Sequence, residues 1–160
     1  MKVKDVMMGT PYYCHPDANL GSATELMWKA NCGFLPVVDA VGKVVGVITD
    51  RDICIALGTR NLTAGQVLVQ DVLTQAVHSC LAEDEIHVAL QTMKDSRVRR
   101  LPVLDKEEHL AGVVSMDDVL LHAEPNRFGE EPELSSNEVV RTYRSIMRKD
   151  LPIIAKRAAA

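Results

Sequence analysis

The chain has 160 residues, 47% hydrophobic and 25% charged, with a formal net charge of −4. That length allows one domain or two very small ones, burying roughly 68–70% of the extended-chain surface, and the composition excludes disordered, collagen-like and disulfide-scaffold chains. The mild acidity gives no general pull toward nucleic acid. No apolar run reaches the ~18–20 residues of a spanning helix, and the amino terminus lacks the apolar stretch of a secretory signal. A cytoplasmic protein with neither a membrane nor a nucleic-acid partner is expected.

A shift of 66 residues superposes the first part of the sequence on the second without a gap. It places VKDVM at residues 3–7 on VQDVL at 69–73, LPVVD at 35–39 on LPVLD at 101–105, and GVITDRDI at 46–53 on GVVSMDDV at 112–119. A repeat of this kind decides the architecture before any local reading. Each copy reads as a short helix, a strand, a helix, two strands and a final helix.

In the first copy, Leu20, Ala23, Leu26, Met27 and Ala30 recur at helical spacing, and Gly33 is expected to supply the left-handed cap. Residues 35–38 and 44–48 are β-rich runs around a turn at 39–43, which predicts a hairpin. A helix then runs from Asp50 until Gly58 stops it. Thr63 and Gln66 have capping-box spacing and predict a short linker helix. The second copy repeats the scheme, with Ile86, Ala89, Leu90 and Met93 on its helix, a hairpin through 106–109 and a last helix ending before Pro125.

A unit of about 55 residues cannot cover both faces of a three-stranded sheet, so the two sheets are expected to pack on each other about a pseudo-twofold axis. The predicted fold class is α+β, two β-α-β-β-α repeats plus a C-terminal helix. The expected boundaries are 1–58 for the first repeat, 59–68 for a linker, 69–123 for the second repeat and 124–160 for a loop and helical tail. In the tail, residues 124–136 read as a loop, Ser135 and Glu138 have capping-box spacing, and Val139, Val140, Tyr143, Ile146 and Met147 form an apolar stripe that Pro152 ends. From Ser136 onward the charge is near +4, against −8 for the rest of the chain. This contrast predicts a helix that docks on an acidic surface, first of all on its own subunit.

Both copies carry a hydroxyl residue at the end of a strand and an aspartate three residues on, at the start of a helix: Thr49 with Asp52, and Ser115 with Asp118. A helix N-terminus and a hydroxyl together suit a phosphate, and a carboxylate one turn in can accept the hydroxyls of a ribose. The competing reading makes these residues plain helix caps.

With these motifs the sequence resembles the CBS domain family, named after cystathionine β-synthase, in its tandem form, the Bateman module, over residues 2–123. The resemblance implies a sensor that binds AMP, ADP, ATP or S-adenosylmethionine as ligand between the repeats. It implies that Thr49 with Asp52, and Ser115 with Asp118, hold phosphate and ribose. Adenine would lie against Val77, His78 and Val98 in the first site, and against Pro11, Tyr12 and Cys32 in the second. Arg97, Arg99 and Arg100 stand where the family's cleft lies, so Arg99 and Arg100 are candidates for ligand phosphates, with Arg51 a further one. Pro11 and Tyr12 are bulkier than the residues often found there and narrow the second site.

The histidines fall at loop or strand edges, and no nucleophile with its base is recognisable, so an enzyme is not expected. The four cysteines show no CxxC pair and read as free thiols. Cys14 and His15, with His78 and Cys80, would make a tetrahedral zinc site only if their strands converge. The reading is therefore a non-catalytic adenine-nucleotide sensor, a homodimer that signals to a regulated protein through a partner contact or oligomer state. The alternatives are a structural or interaction protein with vestigial sites, and a zinc-binding or redox-responsive stress protein.

Overall fold

The computed structural model describes residues 1–125 and 132–148. In the first repeat, α1 spans Leu20–Lys29, β1 Phe34–Val38, β2 Val44–Thr49 and α2 Asp50–Arg60. In the second, β3 spans Cys80–Leu81, α3 Ile86–Ser96, β4 Arg100–Leu104, β5 Leu110–Ser115 and α4 Met116–His122, and α5 follows at Ser136–Met147. Helix α1 starts on Asn19, whose side chain accepts from the Ser22 N–H, and buries Leu20, Ala23 and Met27. That is one face at the spacing expected of an amphipathic helix.

The hairpins β1–β2 and β4–β5 are antiparallel, with Leu35 facing Ile48 and Leu101 facing Val114. Strand β3 adds in parallel to β4. In the first repeat the third strand shrinks to a single parallel bridge from Cys14 to Val37, so that sheet is two-stranded where three strands were expected. The linker turn forms at Ala64–Gln66, where the Gln66 carboxamide oxygen accepts from the Thr63 N–H and hydroxyl.

Two expected helix ends lie elsewhere. Asn31, at φ 49°, takes the left-handed position assigned to Gly33, and Arg97, at φ 54°, takes the equivalent place in the second repeat. Helix α2 runs past Gly58 to Arg60 and closes on Asn61 at φ 53°. Asparagine tolerates the left-handed region, so a glycine nearby is not required to end the helix.

The leading segment of each repeat packs into the other repeat. Val3 and Val6 lie in the core built by Ile86, Met93, Leu101 and Val114, whereas Val67 and Val69 lie in the core built by Leu20, Met27, Leu35 and Ile48. The backbone exchange is matched on the two sides. Val3 N–H donates to Asp84 and Lys4 N–H to Ala82; Val69 N–H donates to Ala18 and Gln70 N–H to Pro16. Met8 then bridges to Val113 and Thr74 to Val47. The pseudo-twofold axis passes between Lys43 and His109, equivalent residues that pair antiparallel across it.

The tail helix docks on its own chain. Ser135 caps it by accepting from the Glu138 N–H at 3.1 Å, and Leu134, Val139 and Ile146 join the second repeat's core beside α3 and α4. His87 Nδ1 lies 2.8 Å from Glu138 Oε1. Of the expected apolar stripe, Val139 and Ile146 are buried against the chain itself, whereas Val140 and Met147 stay exposed. The 126–131 part of the expected loop, and Pro152, lie outside the described residues.

Candidate functional site

Each repeat places its hydroxyl and aspartate where the edge of the sheet turns into a helix. At the start of α2, Thr49 Oγ1 accepts from the Asp52 N–H at 3.2 Å, and Asp52 Oδ2 accepts from the Thr49 hydroxyl at 2.7 Å and the Thr49 N–H at 3.0 Å. At the start of α4, Ser115 and Asp118 make the same three bonds at 3.2, 2.6 and 2.8 Å. These are complete capping boxes, with aspartate in the place usually held by glutamate. The plain-cap reading is thus met at both positions. The hydroxyl hydrogen is committed to the aspartate rather than pointed at a phosphate, and Oδ2 is committed to the cap. Among the described residues nothing bonds to Oδ1 of either aspartate, so one oxygen of each carboxylate remains to accept from a sugar hydroxyl.

Two cavities flank these caps at the junction of the repeats. The first, of about 410 Å³, is walled by Thr49 and Asp52 from the first repeat and by His78, Val98, Arg99 and Arg100 from the second. Phe34, Thr74, Ala76 and Pro102 complete much of its surface. The second, of about 230 Å³, brings Ser115, Asp117, Asp118 and Arg100 together with Pro11, Tyr12, Asn31, Cys32 and Phe34. Pro11 and Tyr12 line this smaller cavity.

Among the anticipated residues, Val77 is absent from the first cavity's wall, where Ala76 and His78 stand on either side of it. The chain bends at Ala76, where the Val77 N–H donates to the Gln75 carbonyl oxygen at 2.9 Å. Arg51 and Arg97 stand in neither wall. Phe34 was missed by the sequence reading. It is the equivalent of Arg100, one residue before each Leu-Pro-Val, and both side chains line both cavities. A position so close to the pseudo-twofold axis reaches either side of it, and the shared place in the repeat was the signal that could have found it.

The zinc arrangement does not form. Cys14 and Cys80 are buried in separate cores, His15 Nδ1 lies 2.8 Å from the Val38 carbonyl oxygen, and His78 faces the first cavity. Among the described residues no three metal-ligating side chains gather. Burial pushes the Cys14 thiol up to about 11. Burial, and then the Asp84 charge, push Cys80 to about 12. Both stay protonated near neutrality, which disfavours metal binding and thiol exchange alike. No helix among the described residues is long and apolar enough to cross a membrane.

Fold and cavities together define an α+β module of two intertwined repeats with paired clefts on its axis. The CBS domain family matches residues 3–59 and 69–124, and the chain belongs to that family as a tandem pair. It is 32% identical over 124 residues to the CBS domain-containing protein YhcV of Bacillus subtilis, covering 78% of this chain and 86% of that one. It is similar in structure to the CBS domain pair of protein MJ0100 in complex with 5′-methylthioadenosine and S-adenosyl-L-methionine. The TM-score there is 0.67 and the identity 26%, over 74% of this chain and 92% of that one. It also matches larger enzymes, among them a homoserine O-acetyltransferase of Methanosphaera stadtmanae. The identity is 32% over 71% of this chain, and the match spans 22% of the enzyme's length.

Proposed function

We propose that the chain is a non-catalytic sensor that binds adenosine-containing ligands in the two clefts between its repeats and passes their occupancy to another protein. The observation that carries this reading is the matched pair of cavities, each joining a hydroxyl–aspartate cap from one repeat to an apolar wall from the other. An adenine needs an apolar slot, a ribose needs a carboxylate oxygen, and a phosphate needs guanidinium groups. Val98 with Ala76, Asp52, and Arg99 with Arg100 are suited to these three parts in the first cavity. The adenosine ligands of the MJ0100 pair support the same class.

A second chain is the natural contact for the first repeat's open helical face, where Trp28 is 85% exposed and Ile55 half exposed, and pairing through it gives a homodimer. The direct test is to purify the protein and search for bound nucleotide by ultraviolet spectrum and mass, with thermal melts in AMP, ADP, ATP and S-adenosylmethionine. A ligand at about 100 times its Kd adds about 2.7 kcal/mol. Bound nucleotide or a raised Tm is expected. Unmoved melts together with no co-purified nucleotide would leave the caps as structural features only.

A further inference from the structure

The two cavities differ in sign as well as in size. The first holds one carboxylate, Asp52, against two guanidinium side chains, Arg99 and Arg100. The second holds two carboxylates, Asp117 and Asp118, against Arg100 alone. The difference arises at equivalent positions. Asp117 stands where the first repeat has Arg51, and Arg99 where it has Gly33. Asp50, the other acid in the first turn of α2, turns away from the first cavity and lies over Gly33 in the groove between α1 and α2. None of Arg99, Arg100 and Asp117 is held in an ion pair among the described residues, so their charges are available to a ligand. Arg100 lines both cavities but has one guanidinium group, and a phosphate on one side withdraws it from the other.

Resting on the adenosine-sensor reading above, we infer that the cavities divide their ligands by charge: the Thr49 cavity takes an adenosine phosphate, and the Ser115 cavity takes an adenosine derivative without phosphate, best one with a cationic arm. A phosphate dianion in the second cavity would face two carboxylates at close range with a single shared arginine to offset them. A sulfonium or ammonium group there meets Asp117 instead. In the first cavity the balance is reversed, and planar guanidinium groups match phosphate oxygens in pairs. Once a phosphate draws Arg100 toward Asp52, the second cavity is left more negative. A nucleotide on one side therefore favours a cation on the other.

Calorimetry on the full chain with three probes tests this: AMP as the anion, 5′-methylthioadenosine as the neutral ligand and S-adenosylmethionine as the cation. One strong equivalent of AMP is expected. To AMP-saturated protein, either of the other probes adds a further equivalent without releasing AMP. Arg99→Gln should weaken AMP about tenfold or more, as loss of a charged hydrogen bond does, and leave the second-cavity equivalent unchanged. Asp117→Asn should weaken S-adenosylmethionine several-fold while sparing 5′-methylthioadenosine. Two AMP equivalents of like affinity, or one-for-one displacement of AMP by the uncharged probe, would overturn the division while leaving the sensor reading intact. Failure of all three probes to bind would remove both.

Discussion

A Cβ placed on Gly112 would stand 2.8 Å from the carbonyl oxygen of Met8. The leading segment of the first repeat thus lies directly on the second repeat's hairpin, and only a residue without a side chain lets it approach. The equivalent Gly46 meets Leu73 Cδ1 at 2.5 Å and the Thr74 carbonyl oxygen at 3.1 Å. A leucine methyl can rotate aside, whereas a hydrogen-bonded backbone carbonyl cannot. Gly112→Ala is therefore expected to cost about 1–3 kcal/mol, in the range of overpacking, and Gly46→Ala less. Urea unfolding of the two variants checks the order; equal losses would mean that both strands yield alike.

The capping boxes separate stability from binding. Asp52→Ala and Asp118→Ala remove the same bonds at the same helix position, so each should cost a similar ~0.5–2 kcal/mol of stability. Ligand affinity should fall unequally. Asp52→Ala should lose about 1.5–3 kcal/mol of nucleotide binding, and Asp118→Ala should leave the strongest nucleotide-binding event nearly unchanged. Calorimetry beside melting curves reads both quantities, and an equal loss of strong binding from the two variants would make the sites equivalent.

Leu134 and Val139 tie the tail to the second repeat. Leu134→Ala should destabilise by about 2–5 kcal/mol, as emptied core sites do. Deletion from Ser136 onward should lower Tm and expose α3 to hydrogen exchange. A truncated chain that melts with the parent would show that the docking contributes nothing.

Glu83 accepts from Lys2 Nζ at 2.7 Å and from Lys4 Nζ at 2.8 Å, and these bonds hold its carboxyl down to about 2. A depressed carboxyl stabilises the fold above its ordinary value of 4.5, and that contribution disappears as pH falls from there through about 2. Nuclear magnetic resonance should find Glu83 titrating near 2 in the parent, and closer to its ordinary value in the double variant Lys2→Ala, Lys4→Ala. An unchanged midpoint in the variant would mean that the lysines do not hold the charge.

The four thiols should react in order of exposure. Cys54 is exposed, Cys32 half-buried, and Cys14 and Cys80 are buried with raised thiols. Iodoacetamide on the native protein, followed by mass mapping, should label Cys54 first and spare Cys14 and Cys80 until denaturant is added. Early labelling of Cys80 would reopen the redox reading.

Much of the fold was readable because a fixed offset of 66 residues binds sequence to shape: Leu35 and Leu101, or Thr49 and Ser115, occupy equivalent positions. The same offset hides other things. VKDVM and VQDVL have one pattern, so nothing in them says which core Val3 or Val69 enters, and only the chain path through the linker decides. Cys14 and Cys80 suggested a shared site by their equivalence. That equivalence instead sets them at matching points of two separate cores. The stripe on α5 signalled a surface to cover, but α3 and α4 form that surface only after the second repeat has folded. Phe34 and Arg100 reach both cavities because they stand near the axis, a property of the assembled pair and of neither copy alone.

The crossed placement of Val3 and Val69 bears on how the molecule can be divided. A cut in the linker near Asn61 would leave one piece lacking Val67 and Val69 from its core, and would give the other a core that lacks Val3 and Val6. Neither piece is a domain by itself. Mixed together, each carries the segment the other needs, so the pieces should restore the native form as interlocking fragments. In the intact chain the same interlock should make the repeats unfold in a single step.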